Sequence, residues 1–94
     1  MKKIFAMILV AAMMLTIGAG ALAANKITKD AAKQIALEAA GKTADQVRFT
    51  KAHLVNDDGR LEWEIEFVQG GMEYEFDIDA RTAAVLEMDI DRAD

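Results

Sequence analysis

The chain has 94 residues, with 16 acidic and 11 basic side chains and a formal net charge of −5. It contains no cysteine, no serine and a single histidine, so disulfide bonds, thiol or serine nucleophiles and Cys/His zinc sites are excluded. The acidic balance also argues against a nucleic-acid-binding protein, because phosphate neutralisation needs clustered lysine and arginine.

Residues 1–23 have the pattern of a signal peptide. Lys2 and Lys3 precede an uncharged stretch, predicted to be a helix, and Ala21-Leu22-Ala23 supplies small residues at the −3 and −1 positions of a signal peptidase site. Cleavage there would leave 71 residues with a net charge of −7. The alternative is an uncleaved anchor, since about 20 apolar residues can span a bilayer. Both interpretations predict a secreted or extracytoplasmic protein of the cell envelope.

One long helix is predicted from Ile27 to Ala40. Thr28 is a suitable N-cap residue, and Gly41 is a suitable residue for the C-terminal stop. The inward face of this helix is mostly alanine, whereas Leu37 falls on the polar side of the helical wheel. We therefore expect Leu37 to be exposed or to lie at a partly covered edge, with contact to a partner as the alternative.

Beyond Gln46 the apolar period changes from about 3.6 to 2, which predicts strands. Hairpin turns are predicted at Asn56–Gly59 and Gln69–Gly71, where asparagine, aspartate and glycine tolerate positive φ. The strand before the first turn does not alternate cleanly between apolar and polar residues. Its apolar residues all face one side only if the strand contains one extra residue relative to its neighbour. We therefore predict a β-bulge near Thr50 or Lys51.

The inward positions of these strands define the expected core. Trp63 and Tyr74 have inward parity and are predicted to be core residues rather than ligand-stacking residues. The last strand is expected to turn Ala84, Leu86, Met88 and Ile90 inward. The predicted fold class is α+β, with one N-terminal helix packed on a four-stranded antiparallel β-meander and preceded by a signal-peptide helix.

Acidic residues occupy the outward positions of the two central strands. Like charges opposite one another destabilise a sheet, so something should offset them. One interpretation is a solvated face that Arg48, Lys51 and His53 of the first strand partly neutralise; the other is a docking face for a cation or a basic partner. The candidate partner-binding residues are Glu62, Glu64, Glu66, Glu73, Glu75, Asp77 and Asp79.

Charge is also divided along the chain. Residues 24–56 carry six basic and three acidic side chains, whereas residues 57–94 carry three basic and thirteen acidic ones. A polarity of this kind can orient the encounter with a partner or hold two copies head to tail.

Neither a specific metal site nor a catalytic residue is predicted. An EF-hand loop starting at Asp77 fails, because Arg81 occupies its fifth position and its sixth is not glycine. His53 has no nucleophile to activate. A glycosidase-type pair such as Glu64 and Glu75 would need a pocket that raises one pKa, and we expect an open sheet face to offer none.

Several stretches, in this order, are typical of a known family: Ile27-Thr28, Ile35-Ala36-Leu37, Asp58-Gly59-Arg60, Trp63-Glu64-Ile65-Glu66-Phe67, and Tyr74-Glu75-Phe76-Asp77-Ile78-Asp79-Ala80 followed by Thr82 and Val85-Leu86. Over residues 27 to about 91 the chain resembles the PepSY domain. It departs from the family at Ala83, where the family has glycine. If this position needs a positive φ, alanine costs about 1 kcal/mol there, or the turn takes another shape.

The resemblance implies that residues 24–94 form a non-catalytic, extracytoplasmic module like those in the propeptides of thermolysin-like peptidases. It further implies regulation or inhibition of a secreted or envelope peptidase, with the acidic sheet face or a sheet edge as the contact surface. The alternative is an envelope-associated acidic module that binds cations such as calcium, or basic partners, without a peptidase target. We expect no cofactor and no nucleic-acid partner, membrane contact only through an uncleaved N-terminal segment, and at most a weak homodimer.

Overall fold

The computed structural model describes Ala6–Ile8 and residues 26–93. The elements are β1 (Ala6–Ile8), α1 (Lys29–Ala40), β2 (Arg48–Asp57), β3 (Arg60–Gln69), β4 (Met72–Asp79) and β5 (Val85–Arg92). The strands form one antiparallel sheet in the order β1-β5-β4-β3-β2. Strands β2 to β5 follow one another as a meander, and helix α1 packs on one face, so the predicted helix on a four-stranded antiparallel sheet is confirmed.

Strand β1 is the part of the predicted leader that the structure describes. Its backbone pairs antiparallel with β5, with Met7 opposite Asp89. The rest of the predicted signal-peptide helix and the cleavage site after Ala23 lie outside the described residues. None of the described helices is long and apolar enough to cross a membrane.

Helix α1 has the predicted caps. The Thr28 hydroxyl accepts a hydrogen bond from the Ala31 N–H at 3.1 Å, and Gly41 ends the helix in the left-handed region with φ 71°. The helix begins at Lys29 rather than at Ile27. Ile27 instead ties the chain to the sheet, since its N–H donates to the Ala80 carbonyl at 2.7 Å.

The prediction that Leu37 lies at an exposed or partly covered edge is wrong, because only 3% of this residue is exposed. The inward residues of the helix include Ala32 and Ala36, both fully buried. Short side chains let a helix approach the sheet closely, which widens the arc of the helix that is covered. Leu37 therefore belongs to the core and offers no contact to a partner.

The β-bulge predicted in β2 is confirmed. Phe49 pairs with Phe67 and Lys51 pairs with Glu66, so Thr50 has no partner across the strand. This insertion turns Val47, Phe49, Ala52 and Leu54 toward the core, which they pack against. Both predicted hairpin turns are also present, with positive φ at Asp58, Gly59, Gly70 and Gly71.

The predicted inward residues of β5 are partly wrong. Asp77 pairs with Glu87 but Ile78 pairs with Val85, so Leu86 is an extra residue in the ladder. This second bulge shifts the parity of the strand. Before it, Ala83 and Val85 are buried in place of Ala84 and Leu86, and after it Met88 and Ile90 face the core as predicted.

Ala83 adopts φ 68° and is fully buried. Its backbone N–H donates to the Asp79 carbonyl at 2.9 Å, which closes the turn between β4 and β5. The position therefore takes the positive φ for which glycine is suited, and alanine carries a conformational cost of about 1 kcal/mol there.

The core lies between α1 and the inner face of β2 to β5. Trp63 and Tyr74 are both inward, as predicted. The Trp63 indole donates to the Ile27 carbonyl at 3.0 Å, and the Tyr74 ring stacks on Phe67 with centroids 5.0 Å apart. Among the described residues, the members of this core all lie between residues 27 and 90.

Candidate binding face

The sheet face that points away from α1 collects all seven of the predicted site residues. Directly paired residues of neighbouring strands lie on the same face of a sheet. The β3–β4 pairs on this side are Glu62 with Asp79, Glu64 with Asp77, Glu66 with Glu75 and Val68 with Glu73. Carboxylates therefore stand opposite carboxylates in three successive pairs.

Strand β5 adds three more carboxylates. Glu87 pairs with Asp77, Asp89 with Glu75 and Asp91 with Glu73. Their alternation with Met88 and Ile90 predicts this outward position, although the candidate site residues named from the sequence lie on β3 and β4 alone. The ten carboxylates on this side of the sheet form the acidic face: Glu62, Glu64, Glu66, Glu73, Glu75, Asp77, Asp79, Glu87, Asp89 and Asp91.

Lys51 provides local charge compensation, as predicted. Its ammonium Nζ lies 3.2 Å from a Glu66 oxygen and 3.6 Å from a Glu64 oxygen. The hydrogen bond that Lys51 donates to Glu66, together with the negative charges of Glu66 and Glu64, raises the pKa of Lys51. Arg48 and His53, the other expected cations, are exposed on β2.

The middle of the acidic face forms a cavity of about 240 Å³. The expectation that an open sheet face offers no pocket is therefore wrong. A twisted sheet is curved rather than flat, and long side chains of the outer strands border the depression. Lys51 lines the cavity together with six carboxylates, those of Glu64, Glu66, Glu75, Asp77, Glu87 and Asp89.

Asp77 is the most perturbed carboxyl group of this cavity. Burial, followed by the charges of Glu87, Glu62 and Glu64, raises the pKa of Asp77 to about 7. Burial and the Glu66 charge also raise the pKa of Glu75. Near neutral pH, Asp77 is therefore divided between its protonated and ionised forms.

Two further features of the acidic face are a carboxylate oxygen that lacks a described partner and a close group of three carboxylates. Oδ1 of Asp89 is buried and has no hydrogen-bond partner among the described residues. Carboxylate oxygens of Glu66, Glu73 and Glu75 lie within 4.8 Å of one another. Oxygen donors gathered in this way suit ammonium and guanidinium groups or a hard divalent cation.

Two aspartates of the acidic face each have one oxygen engaged by the backbone. Oδ1 of Asp79 accepts hydrogen bonds from the Arg81 and Thr82 N–H groups, at 2.8 and 2.9 Å, and Oδ1 of Asp91 accepts one from the Arg92 N–H at 2.8 Å. Glu62 is also restricted, since it is buried and lies 3.9 Å from the Arg60 guanidinium. The carboxylates that are open to a ligand are therefore concentrated toward the cavity.

A family model described as "Peptidase propeptide and YPEB domain", or PepSY, matches residues 26–89. The chain belongs to the PepSY family. PepSY domains are typically extracytoplasmic and non-catalytic, and they are linked to peptidase propeptides and inhibitory modules. The match confirms the resemblance drawn from the order of motifs between Ile27 and Leu86.

The PepSY domain described here is also similar to the uncharacterised protein Spy1430 of Streptococcus pyogenes serotype M6. The two are 36% identical over 62 residues, which is 66% of this chain and 48% of the relative. The chain thus spans about half the length of that protein. No solved structure matches the chain significantly.

Proposed function

We propose that this PepSY domain acts by binding, and that it regulates or inhibits a secreted or envelope peptidase through contact between the acidic face and a basic surface. The observation that carries this proposal is the cavity, in which one ammonium group faces six carboxylates. The family's link to peptidase propeptides favours a peptidase as the partner.

The charges of the acidic face favour a cationic partner on energetic grounds. Paired carboxylates repel one another in the free domain. Lys51 forms ion pairs with only two of them, Glu64 and Glu66. Glu75, Asp77, Glu87 and Asp89 line the same cavity. A lysine or arginine side chain placed among these four carboxylates would be attracted to them and would also reduce the repulsion between them.

The charge distribution also favours oriented association. The sheet carries the acidic excess, whereas α1 and the segment around it carry exposed lysines such as Lys26 and Lys29. A domain polarised in this way turns its acidic side toward a positive surface as it approaches. We expect association to slow as ionic strength rises, because exposed charges are screened over about 8–10 Å at physiological salt.

The experiment is capture of peptidase activity from an extracytoplasmic fraction on immobilised residues 24–94. Three proteins are compared: the wild type, a charge-reversed variant (E64K, E66K, E75K and D77K) and a matched variant reversed on α1 (D30K and E38K). The proposal predicts that the wild type and the helix variant retain and inhibit a peptidase, and that the sheet variant does not. Retained peptidase is assayed after elution at high salt, which screens the charges that hold the complex together. Equal retention by all three proteins, or no peptidase activity in the eluate of the wild type, would contradict the proposal.

A second candidate function, binding of a divalent cation, is favoured by the grouping of Glu66, Glu73 and Glu75. Hard cations prefer such oxygen ligands, and a ligand that binds only the folded state raises its melting temperature. Calcium chloride at millimolar concentration should then raise the melting temperature of the wild type but not that of an E73Q and E75Q variant. An unchanged wild-type melting temperature would rule this candidate out.

A further inference from the structure

The outer edge of β5 accepts an additional strand. Ala6, Met7 and Ile8 pair antiparallel with Ile90, Asp89 and Met88, respectively. These three residues belong to the predicted leader, whereas the described core residues all lie between residues 27 and 90. When the leader is removed, the edge of β5 is left with backbone N–H and C=O groups that can pair with another chain.

The two edges of the mature sheet differ in how well they suit a new strand. The β2 edge is interrupted by the bulge at Thr50, and bulges are a common means of preventing edge pairing. Strand β5 keeps an unbroken register with β4 from Glu87 to Arg92. The β5 edge is therefore the better template of the two.

The register also specifies which side chains an added strand should carry. Asp89 ends a row across the sheet that runs through Glu75 and Glu66 to Lys51. A residue opposite Asp89 extends this row, and the buried Oδ1 of Asp89 lacks a hydrogen-bond partner among the described residues. A lysine or arginine at that position could donate to it.

The neighbouring positions of the added strand have the opposite requirement. Met88 is buried and Ile90 packs against the core, so both lie on the inner side of the sheet. Residues opposite them would extend the apolar layer, and successive side chains of a strand alternate between its two faces. The preferred sequence of the added strand is therefore apolar, basic, apolar.

A second copy of this chain fits this edge poorly. Antiparallel pairing of β5 with another β5, centred at Asp89, would place Asp89 opposite Asp89 and Glu87 opposite Asp91. Like charges directly opposite one another destabilise paired strands. The charges thus favour a different chain with a basic residue at the central position.

We propose that the β5 edge of the mature domain binds an extended segment of a partner protein by antiparallel strand addition, with an apolar-basic-apolar sequence in register with Met88, Asp89 and Ile90. This inference does not require the partner to be a peptidase. It uses the backbone edge of β5 and shares Asp89 with the acidic face, on which the proposed peptidase contact depends.

The test measures binding of synthetic peptides to residues 24–94. The parent peptide has the sequence of residues 4–10, with a polyethylene glycol tail for solubility. Two variants carry one lysine each, Met7→Lys opposite Asp89 or Ile8→Lys opposite Met88. We expect the Met7→Lys peptide to bind about tenfold more tightly than the Ile8→Lys peptide, as expected for one charge-assisted hydrogen bond.

Two further measurements locate the binding site. Amide hydrogen exchange should show protection of β5 by the Met7→Lys peptide and no added protection of β2. The D89N variant, which is nearly isosteric, should lose the preference for the Met7→Lys peptide. The full 94-residue chain should bind this peptide more weakly than residues 24–94, because its own leader occupies the edge.

Several results would overturn the inference. These are equal binding of the two lysine peptides, protection at β2 instead of β5, and undiminished binding by the full chain. A dimer of residues 24–94 that the peptide dissociates would show that a second copy is the occupant. No peptidase is present in these assays, so their failure would leave the peptidase proposal standing, and failure of the capture experiment would leave the edge site standing.

Discussion

Asp77 on β4 lies directly opposite Glu87 on β5, and the pair stands in the cavity at the centre of the acidic face. Burial, the Glu87 charge and hydrogen bonding to Glu87 raise the pKa of Asp77 to about 7. At neutral pH the acidic face is therefore destabilised by repulsion between its own carboxylates, and a bound proton or a cationic partner reduces that repulsion.

The first prediction concerns pH. Because the pKa of Asp77 is about 7 in the folded domain and 3.8 is its ordinary value, the folded state binds more protons between about pH 4 and 7. The free energy of unfolding should therefore rise as pH falls from 8 to 5. The raised pKa values of Glu62 and Glu75 act in the same direction. Urea unfolding of residues 24–94 at several pH values measures this trend.

The D77N variant isolates the contribution of Asp77. It should be more stable than the wild type at pH 8, because it removes a repelled carboxylate, and its stability should depend less on pH. If D77N keeps the wild-type pH profile, the proton is held elsewhere on the acidic face.

Asp79 provides a contrasting prediction on the same strand. Its Oδ1 accepts hydrogen bonds from the Arg81 and Thr82 N–H groups, which organise the turn before β5. The D79A variant should lose about 1–2 kcal/mol of unfolding free energy, even though it also removes a negative charge. A gain in stability on urea unfolding would mean that charge repulsion outweighs the turn at this position.

Removal of Lys51 should expose the repulsion that it offsets. The K51Q variant leaves Glu64 and Glu66 without their ion pairs. We expect its free energy of unfolding to fall below that of the wild type at low salt, and the difference should shrink at high salt because the charges are screened. The exposed Lys29 on α1 offers a matched control, K29Q. A salt-independent loss in K51Q would indicate a packing effect instead.

Ile27 should contribute to stability out of proportion to its position near the start of the domain. It is buried, and its carbonyl accepts the hydrogen bond of the Trp63 indole. The I27A variant should lose about 2–4 kcal/mol, as measured by urea unfolding followed through Trp63 fluorescence. A loss below about 1 kcal/mol would mean that this segment detaches at little cost.

The two bulges differ in how far the sequence could predict them. In β2, continued alternation would bury the polar residues Lys51 and His53. Because polar side chains do not fit an apolar core, this pattern predicts the extra residue at Thr50. In β5, the adjacent Val85 and Leu86 are both apolar, and either can occupy an inward position without conflict. The bulge at Leu86 therefore left no trace in the hydrophobic pattern.

The acidic face could likewise be predicted from the sequence, whereas its cavity could not. Period-two alternation placed Glu64, Glu66, Glu75 and Asp77 on one face, because that depends on parity alone. The depth of the cavity depends on sheet curvature and on Glu87, and therefore on strand register and side-chain conformation. The burial of Leu37 likewise depends on how closely α1 approaches the sheet, which a helical wheel does not contain.

The central claim is that a cationic partner completes the acidic face. It is tested most directly by an NMR titration of the Asp77 side-chain carboxyl in residues 24–94, with and without a hexa-arginine peptide. We expect a pKa near 7 in the free domain and a clearly lower pKa with the peptide bound, because a cation favours the ionised form. A free-domain value near 4, or a value that the peptide does not change, would contradict this interpretation of the face.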